Sequence, residues 1–140
     1  MRAKVVKQIS AWLPVILWGA LIFHFSSGTV PVASNIYWKD FAVKKTGHML
    51  LFGAMSILIY RGLRMSGIDR KRSAIWAVFL ATFYGATDEY HQMFTQGREA
   101  RVRDVFIDSI GATLVILSTY YLLPKFSKKV QVIISKFNLN

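Results

Sequence analysis

Four apolar stretches in 140 residues leave this chain few ways to fold. They run over 9–25, 46–63, 73–87 and 105–123, beginning with "ISAWLPVILWGALIFHF". A membrane-spanning helix takes about 20 mostly apolar residues, within a range of ~17 to 25. The second and third stretches are short as pure apolar runs. Their polar ends must lie in the headgroup zone or against other protein. The strict alternation of an outer-membrane barrel strand is missing. With 54% hydrophobic residues, the chain is too apolar for an ordinary soluble domain and too short for two domains. The expected fold is all-α: a polytopic membrane protein, a four-transmembrane-helix bundle forming one domain over 1–140.

The charges orient such a bundle. The net charge is +11, from 18 Lys and Arg against 7 Asp and Glu. With both termini on one side, that side holds twelve of the basic residues and one acid, Asp69. The other side holds six of each sign. Cytoplasmic loops carry the excess of Lys and Arg, so the basic side is expected to be cytoplasmic. This accounts for the basic balance without nucleic acid as a partner. The first stretch follows Arg2, Lys4 and Lys7, as in a signal peptide. Its apolar run is longer than a usual signal core and no small-x-small site follows, so it reads as an uncleaved signal anchor. Phe126, Val130, Ile133 and Phe137 fall at helical spacing, which predicts an amphipathic helix over 125–140 on the cytoplasmic surface. There is no cysteine, which excludes disulfides and thiolate chemistry.

The outward ends carry the unusual residues. The stretch "TDEYHQMFTQGREARVRD", 87–104, puts dense charge between two apolar runs. Asp88, His91, Gln92 and Thr95 share one helical face if the third helix continues past its apolar run. Lys44 and Lys45 precede His48 by four and three residues, so at least one lysine shares its face. Asp104, Asp108, Gly111, Val115 and Ser118 form a stripe on the fourth helix. An ionised carboxylate facing lipid costs ~2.5 kcal/mol at mid-span and less near the ends. Asp108 is therefore expected to face the bundle, with Arg98, Arg101, Arg103 or Lys45 as its partner. Gly111 and Ala112 allow a neighbouring helix to approach closely. Plain structural roles suffice for some residues. Arg101 and Glu99 read as a loop staple, His24 as an interfacial histidine, and Ser26 and Ser27 as a helix end. For Asp88, Glu89, His91, Arg98, Asp104 and Asp108 together, so many titratable groups at membrane depth point to a functional site.

At these residues the chain resembles the VanZ-like family of small membrane proteins. The matching pieces are "FSS" at 25–27, "KTGH" at 45–48, "DEYHQMF" at 88–94, "GR" at 97–98 and "RDVFIDSIG" at 103–111. There are two departures. Asp108 stands where the family pattern more often has Asn, and Leu51 and Phe52 stand where many members carry Glu-Tyr. The resemblance implies a multi-pass protein of the bacterial cytoplasmic (inner) membrane. The family's namesake is associated with low-level resistance to the glycopeptide teicoplanin. The resemblance supplies no reaction.

Two classes of function remain open at this stage. In the first, an outward site acts on a cell-envelope molecule. Asp88 and Glu89 are candidates for general base or acid, and His91 and His48 for proton transfer. Lys45 and Arg98 are candidates to hold a phosphate or carboxylate, Arg98 through a bidentate contact. Gln92, Asp104, Asp108, Ser26 and Ser27 complete the expected ligand-binding set, with Ser26 also a candidate nucleophile. In the second, the same cluster binds a lipid-linked or glycopeptide ligand at the outer leaflet, or a partner protein, without chemistry. A proton or ion path ranks last, for want of an inverted repeat or a charge at mid-depth. A divalent metal held by the carboxylates and histidines is a weaker alternative, without a recognised ligand motif, and a haem held by His48 and His91 would rest on two histidines alone. No cofactor is assigned, and the bilayer is the one expected partner in every reading.

Overall fold

The structure, a computed structural model, describes residues 2–28, 35–96, 98, 100–126, 131, 135, 137 and 139. It contains four helices: α1 (Arg2–Ser26), α2 (Tyr37–Met65), α3 (Arg70–Gln92) and α4 (Val102–Leu122). A 3-10 turn, Leu123–Lys125, follows α4. Helices α1, α2 and α3 run past both ends of their apolar stretches and α4 past its N-terminal end, because backbone hydrogen bonding continues through the polar ends. The turn between α2 and α3 centres on Gly67, whose φ of +90° suits glycine. Asp69 then caps α3 by accepting from the Arg72 backbone N–H at 3.0 Å. The amphipathic tail expected over 125–140 lies for the most part outside the described residues.

Two helical segments, Arg2–Ser26 and Val102–Lys125, are long and apolar enough to cross a membrane. Helices α2 and α3 carry more charge and fall below that hydropathy. Their 29 and 23 residues nevertheless make rods of about 44 and 35 Å.

Contacts across the bundle fix its direction. At one end, Ser26 of α1 meets Asp88 of α3, and Lys45 of α2 meets Asp104 of α4. At the other end, Ser66 of α2 bonds Gln8 of α1, and Arg70 of α3 reaches the Tyr120 carbonyl of α4. The chain therefore runs up, down, up, down, with α2 and α4 parallel to each other. Helix α4 packs on both α2 and α3. Helix α1 lies mainly against α2, touches α3 less, and makes no contact with α4 among the described residues.

The tightest packing is the α2–α4 seam. A Cβ at Gly111 would stand 2.5 Å from the Met49 carbonyl oxygen, and one at Gly53 would stand 2.8 Å from a Val115 methyl. Only glycine lets backbones come so close, as is common where membrane helices associate. Ser56 donates to the Gly53 carbonyl on the same seam at 2.7 Å. Pro14 falls inside α1 and lacks the N–H that would bond the Ser10 carbonyl. Arg61 of α2 takes up that acceptor at 3.0 Å, so the proline costs no orphaned carbonyl and pins α1 to α2.

The exposed and buried faces of α3 invert the pattern of a water-soluble helix. Its buried residues are Ser73, Ala77, Ala81, Gly85, Asp88, Glu89 and Gln92. Its exposed residues include Ile75, Trp76, Phe79 and Phe83.

Candidate functional site

The polar residues of the bundle's first end form two groups. One lies between the end of α1 and the end of α3. Helix α3 continues to Gln92, which stacks Asp88 and Gln92 one turn apart on the buried face. Ser26 Oγ donates to Asp88 Oδ2 at 2.8 Å, and Gln92 Nε2 donates to the same oxygen at 2.8 Å. Gln92 also reaches Ser26 Oγ at 3.4 Å. All three residues are buried. Beside them, Ser27 Oγ donates to the Phe23 carbonyl at 2.8 Å and stands 3.1 Å from His91 Nε2. With its proton on that carbonyl, the Ser27 oxygen is left to accept from the histidine, so the pair is not arranged for nucleophilic attack. The Phe23 ring stacks on His91 with centroids 4.4 Å apart.

The second group bridges α2 and α4 as two rungs. Lys45 Nζ pairs with Asp104 Oδ2, and one turn deeper His48 Nδ1 stands 3.3 Å from Asp108 Oδ1. Because the helices are parallel, the rungs occur in the same order on both. The second contact is close but poorly aligned as a hydrogen bond. Lys44 turns to Asp40 at 2.7 Å, which leaves Lys45 as the lysine of the site. Asp108 is 1% exposed and lies against α3, where a Cβ at Gly85 would stand 3.5 Å from Asp108 Oδ2.

Glu89 connects the groups. Its Oε2 accepts from the Arg101 backbone N–H at 2.9 Å, tying the α3–α4 loop to α3. It lies within electrostatic range of His48, Asp104 and Asp108. Arg98 closes the other side. Its Nε donates to the Gly28 carbonyl at 3.0 Å, and a terminal nitrogen donates to the Phe25 carbonyl. These are carbonyls at and just past the C-terminus of α1, where the helix leaves acceptors unpaired and favours a cation. Burial lowers the Arg98 guanidinium from its ordinary value, against the raising pull of Asp88 and Glu89.

One property sets this end apart. Asp88 Oδ1, Glu89 Oε1, Asp104 Oδ1 and both oxygens of Asp108 are buried and have no hydrogen-bond partner among the described residues. Buried polar groups are nearly always hydrogen-bonded, and each exception asks for a reason. Four carboxylates with spare acceptors at one end of a bundle are more than packing requires.

A family model described as VanZ/LLP1 matches residues 8–123 of this sequence. The chain belongs to the VanZ/LLP1 family. No curated protein matches it, and no solved structure does. The matched region takes in most of α1 and all of α2, α3 and α4, and hence every residue of the two groups. Within this VanZ/LLP1 domain, the FSS, KTGH, DEYHQ and RDVFID pieces come from four different helices. The bundle brings them to one end.

The structure also differs from expectation at particular residues. Asp108 was expected to pair with an arginine or with Lys45, but faces His48. Each sits one turn deeper than the Lys45–Asp104 rung, and the arginines are at the surface or turned elsewhere. Arg103 lies over the Phe41 ring, 4.8 Å from its centroid, with its Nε 3.7 Å from Asp104 Oδ1. Arg98 commits two donors to α1 carbonyls. Thr95 lies beyond the end of α3 and reaches back to the His91 carbonyl at 3.5 Å, so it leaves the face it was assigned to. Ser118 is exposed, and the buried stripe of α4 continues instead through Ala112, Ile116 and Thr119. The Arg101 backbone N–H bonds Glu89, and the staple expected of Arg101 and Glu99 involves Glu99, which lies outside the described residues. No group of three or more His, Asp or Glu side chains suited to a metal ion occurs among the described residues. Ser26 beside Asp88 is the pairing that sequence did not reveal. Its only sequence signal was the recurrence of FSS with D-E-x-H-Q.

Proposed function

We propose that this protein spans the bacterial inner membrane four times, with both termini cytoplasmic, and that its outward end binds or acts on a cell-envelope molecule. The observation that carries the reading is the set of buried oxygens on Asp88, Glu89, Asp104 and Asp108 that have no hydrogen bond among the described residues. Ionisable groups at membrane depth are costly and characteristically functional. Membership of the VanZ/LLP1 family and two helical segments fit to cross a membrane support the setting. The inverted faces of α3 support a third span. Exposed Ile75, Trp76, Phe79 and Phe83 suit lipid, while a buried Ser73, Gly85 and Asp88 suit a helix interface. The charge partition supports the orientation.

Binding alone and chemistry are both within reach of this site. For chemistry, Ser26 with its proton on Asp88 is the pair arranged as nucleophile and base, with Gln92 holding the carboxylate. Glu89, His48 and His91 are further proton carriers. For binding, the acceptors of the four carboxylates are the recognition surface.

The test has two parts. Reporter fusions after Lys39 and after Arg98 should read outside, and one after Gly67 should read inside. Asp88→Asn should abolish teicoplanin tolerance conferred by the expressed protein, at matched membrane levels. An inside signal at Arg98, or full tolerance with Asp88→Asn, overturns the proposal.

A further inference from the structure

Resting on the outward site just proposed, we propose that its ligand carries a primary ammonium group, on a lipid headgroup or on a free amine. The argument is one of unspent valence. Sequence suggested an anion-binding site built on Lys45 and Arg98. In the structure those cations are engaged: Lys45 with Asp104, and Arg98 with the Phe25 and Gly28 carbonyls. What is left over is acceptor capacity. Among the described residues, Asp108, 1% exposed, has neither oxygen hydrogen-bonded, and Asp88 and Glu89, 4% and 6% exposed, each keep one oxygen without a hydrogen bond, whereas the second oxygen of Asp104 lies 3.7 Å from Arg103 Nε. An ionised carboxylate only accepts, so the complementary group only needs to donate.

Charge points the same way. Asp88, Glu89, Asp104 and Asp108 face Lys45, Arg98 and Arg103, the last 3.7 Å from Asp104, with His48 beside Asp108. With His48 neutral, the four acids exceed the three cations by one. A ligand cation balances this, and in a poorly solvated site the balance is worth far more than at a surface. A divalent metal needs ligands converging on a point, and no such group occurs among the described residues. An ammonium head reaches outward with three donors and tolerates acceptors spread over separate helices. Asp108 on α4 and Asp88 and Glu89 on α3 are spread in this way.

Phosphatidylethanolamine and phosphatidylcholine separate the donor from the charge. Both headgroups are cationic at nitrogen, but the quaternary nitrogen of choline has no N–H. The full-length protein in neutral detergent is titrated with short-chain forms of each, and with ethanolamine alone, while thermal unfolding is followed. Phosphatidylethanolamine should bind at least about tenfold tighter than phosphatidylcholine, the equivalent of one charge-assisted hydrogen bond. If ethanolamine alone reproduces the shift, the source is a free amine; if it does not, the headgroup is read as part of a lipid. The preference should vanish in Asp108→Asn and in Glu89→Gln, which keep shape and remove charge. Equal binding of the two lipids by the wild-type protein overturns the proposal without any variant. A preference that survives both substitutions also overturns it, because the amine is then read elsewhere. If the lipids tie while Asp88→Asn still abolishes tolerance, the ammonium class falls and the outward site stands. If Asp88→Asn is fully tolerant, the site reading falls as well.

Discussion

Gly111→Ala tests whether the α2–α4 seam positions the site. The added Cβ would stand 2.5 Å from the Met49 carbonyl oxygen, 2.7 Å from its Cα and 3.0 Å from its carbonyl carbon. Ordinary van der Waals contact begins at 3.4 Å, so the shortest of these must open by about 0.9 Å. All three atoms are backbone, and no rotamer change relieves the overlap. The helices have to part. Overpacking of this kind costs ~1–3 kcal/mol. Alanine recovers ~1 kcal/mol through its better helix propensity, leaving a net loss of up to about 2 kcal/mol. Met49 follows His48 directly, so the displacement acts on the deeper rung. A 3.3 Å His48–Asp108 contact opened by that amount passes beyond the ~4 Å reach of a direct pair. Gly47→Ala is the matched control, since a Cβ there meets nothing within 4 Å. The assay is equilibrium unfolding of each purified variant in mixed micelles with increasing SDS. Gly111→Ala should unfold at a lower SDS fraction than the wild type, and Gly47→Ala at the same fraction or higher. Coincident curves for the two alanine variants would refute the argument that a backbone approach at Gly111 sets the seam.

Lys45→Met leaves Asp104 with only the more distant Arg103, at 3.7 Å, and should cost up to ~3 kcal/mol in the same unfolding assay, with Lys45→Met/Asp104→Leu recovering most of the loss. Wild-type stability in the single variant would mean that the pair is dispensable. Arg98→Ala should lose about 1–3 kcal/mol of stability and most tolerance, because two donors to α1 carbonyls disappear. Arg98→Lys should recover little, since one ammonium cannot reproduce the fork that spans Phe25 and Gly28. Arg101→Ala should be milder, because the N–H that meets Glu89 is backbone and survives; a greater loss there than at Arg98 would reverse the assignment.

What sequence revealed here was whatever depends on one helix at a time. Apolar runs gave the helices, and the 3.6 period put Asp104, Asp108 and Gly111 on one buried stripe. The cost of a lipid-facing carboxylate turned Asp108 inward. What it hid depends on the axial register between helices, which no single-helix pattern encodes. A shift of one turn would have offered Asp108 to Lys45, and the fits of Gly111 against Met49 and of Gly53 against Val115 hold His48 opposite it. The partners of Arg98 were hidden for a different reason. Every residue has a backbone carbonyl, so an acceptor at a helix end leaves no mark in the sequence. The consequence reaches the chemistry. Read as a list of side chains, this end of the bundle has cations waiting for an anion. Once Lys45 is assigned to Asp104 and Arg98 to the end of α1, the unmet groups are acceptors, and the sign of the expected ligand reverses. The sequence departure at Asp108 fits that reversal. An asparagine there would supply a donor and an acceptor to its neighbours. Aspartate supplies only acceptors, at the most buried point of the cluster, and raises its negative charge by one.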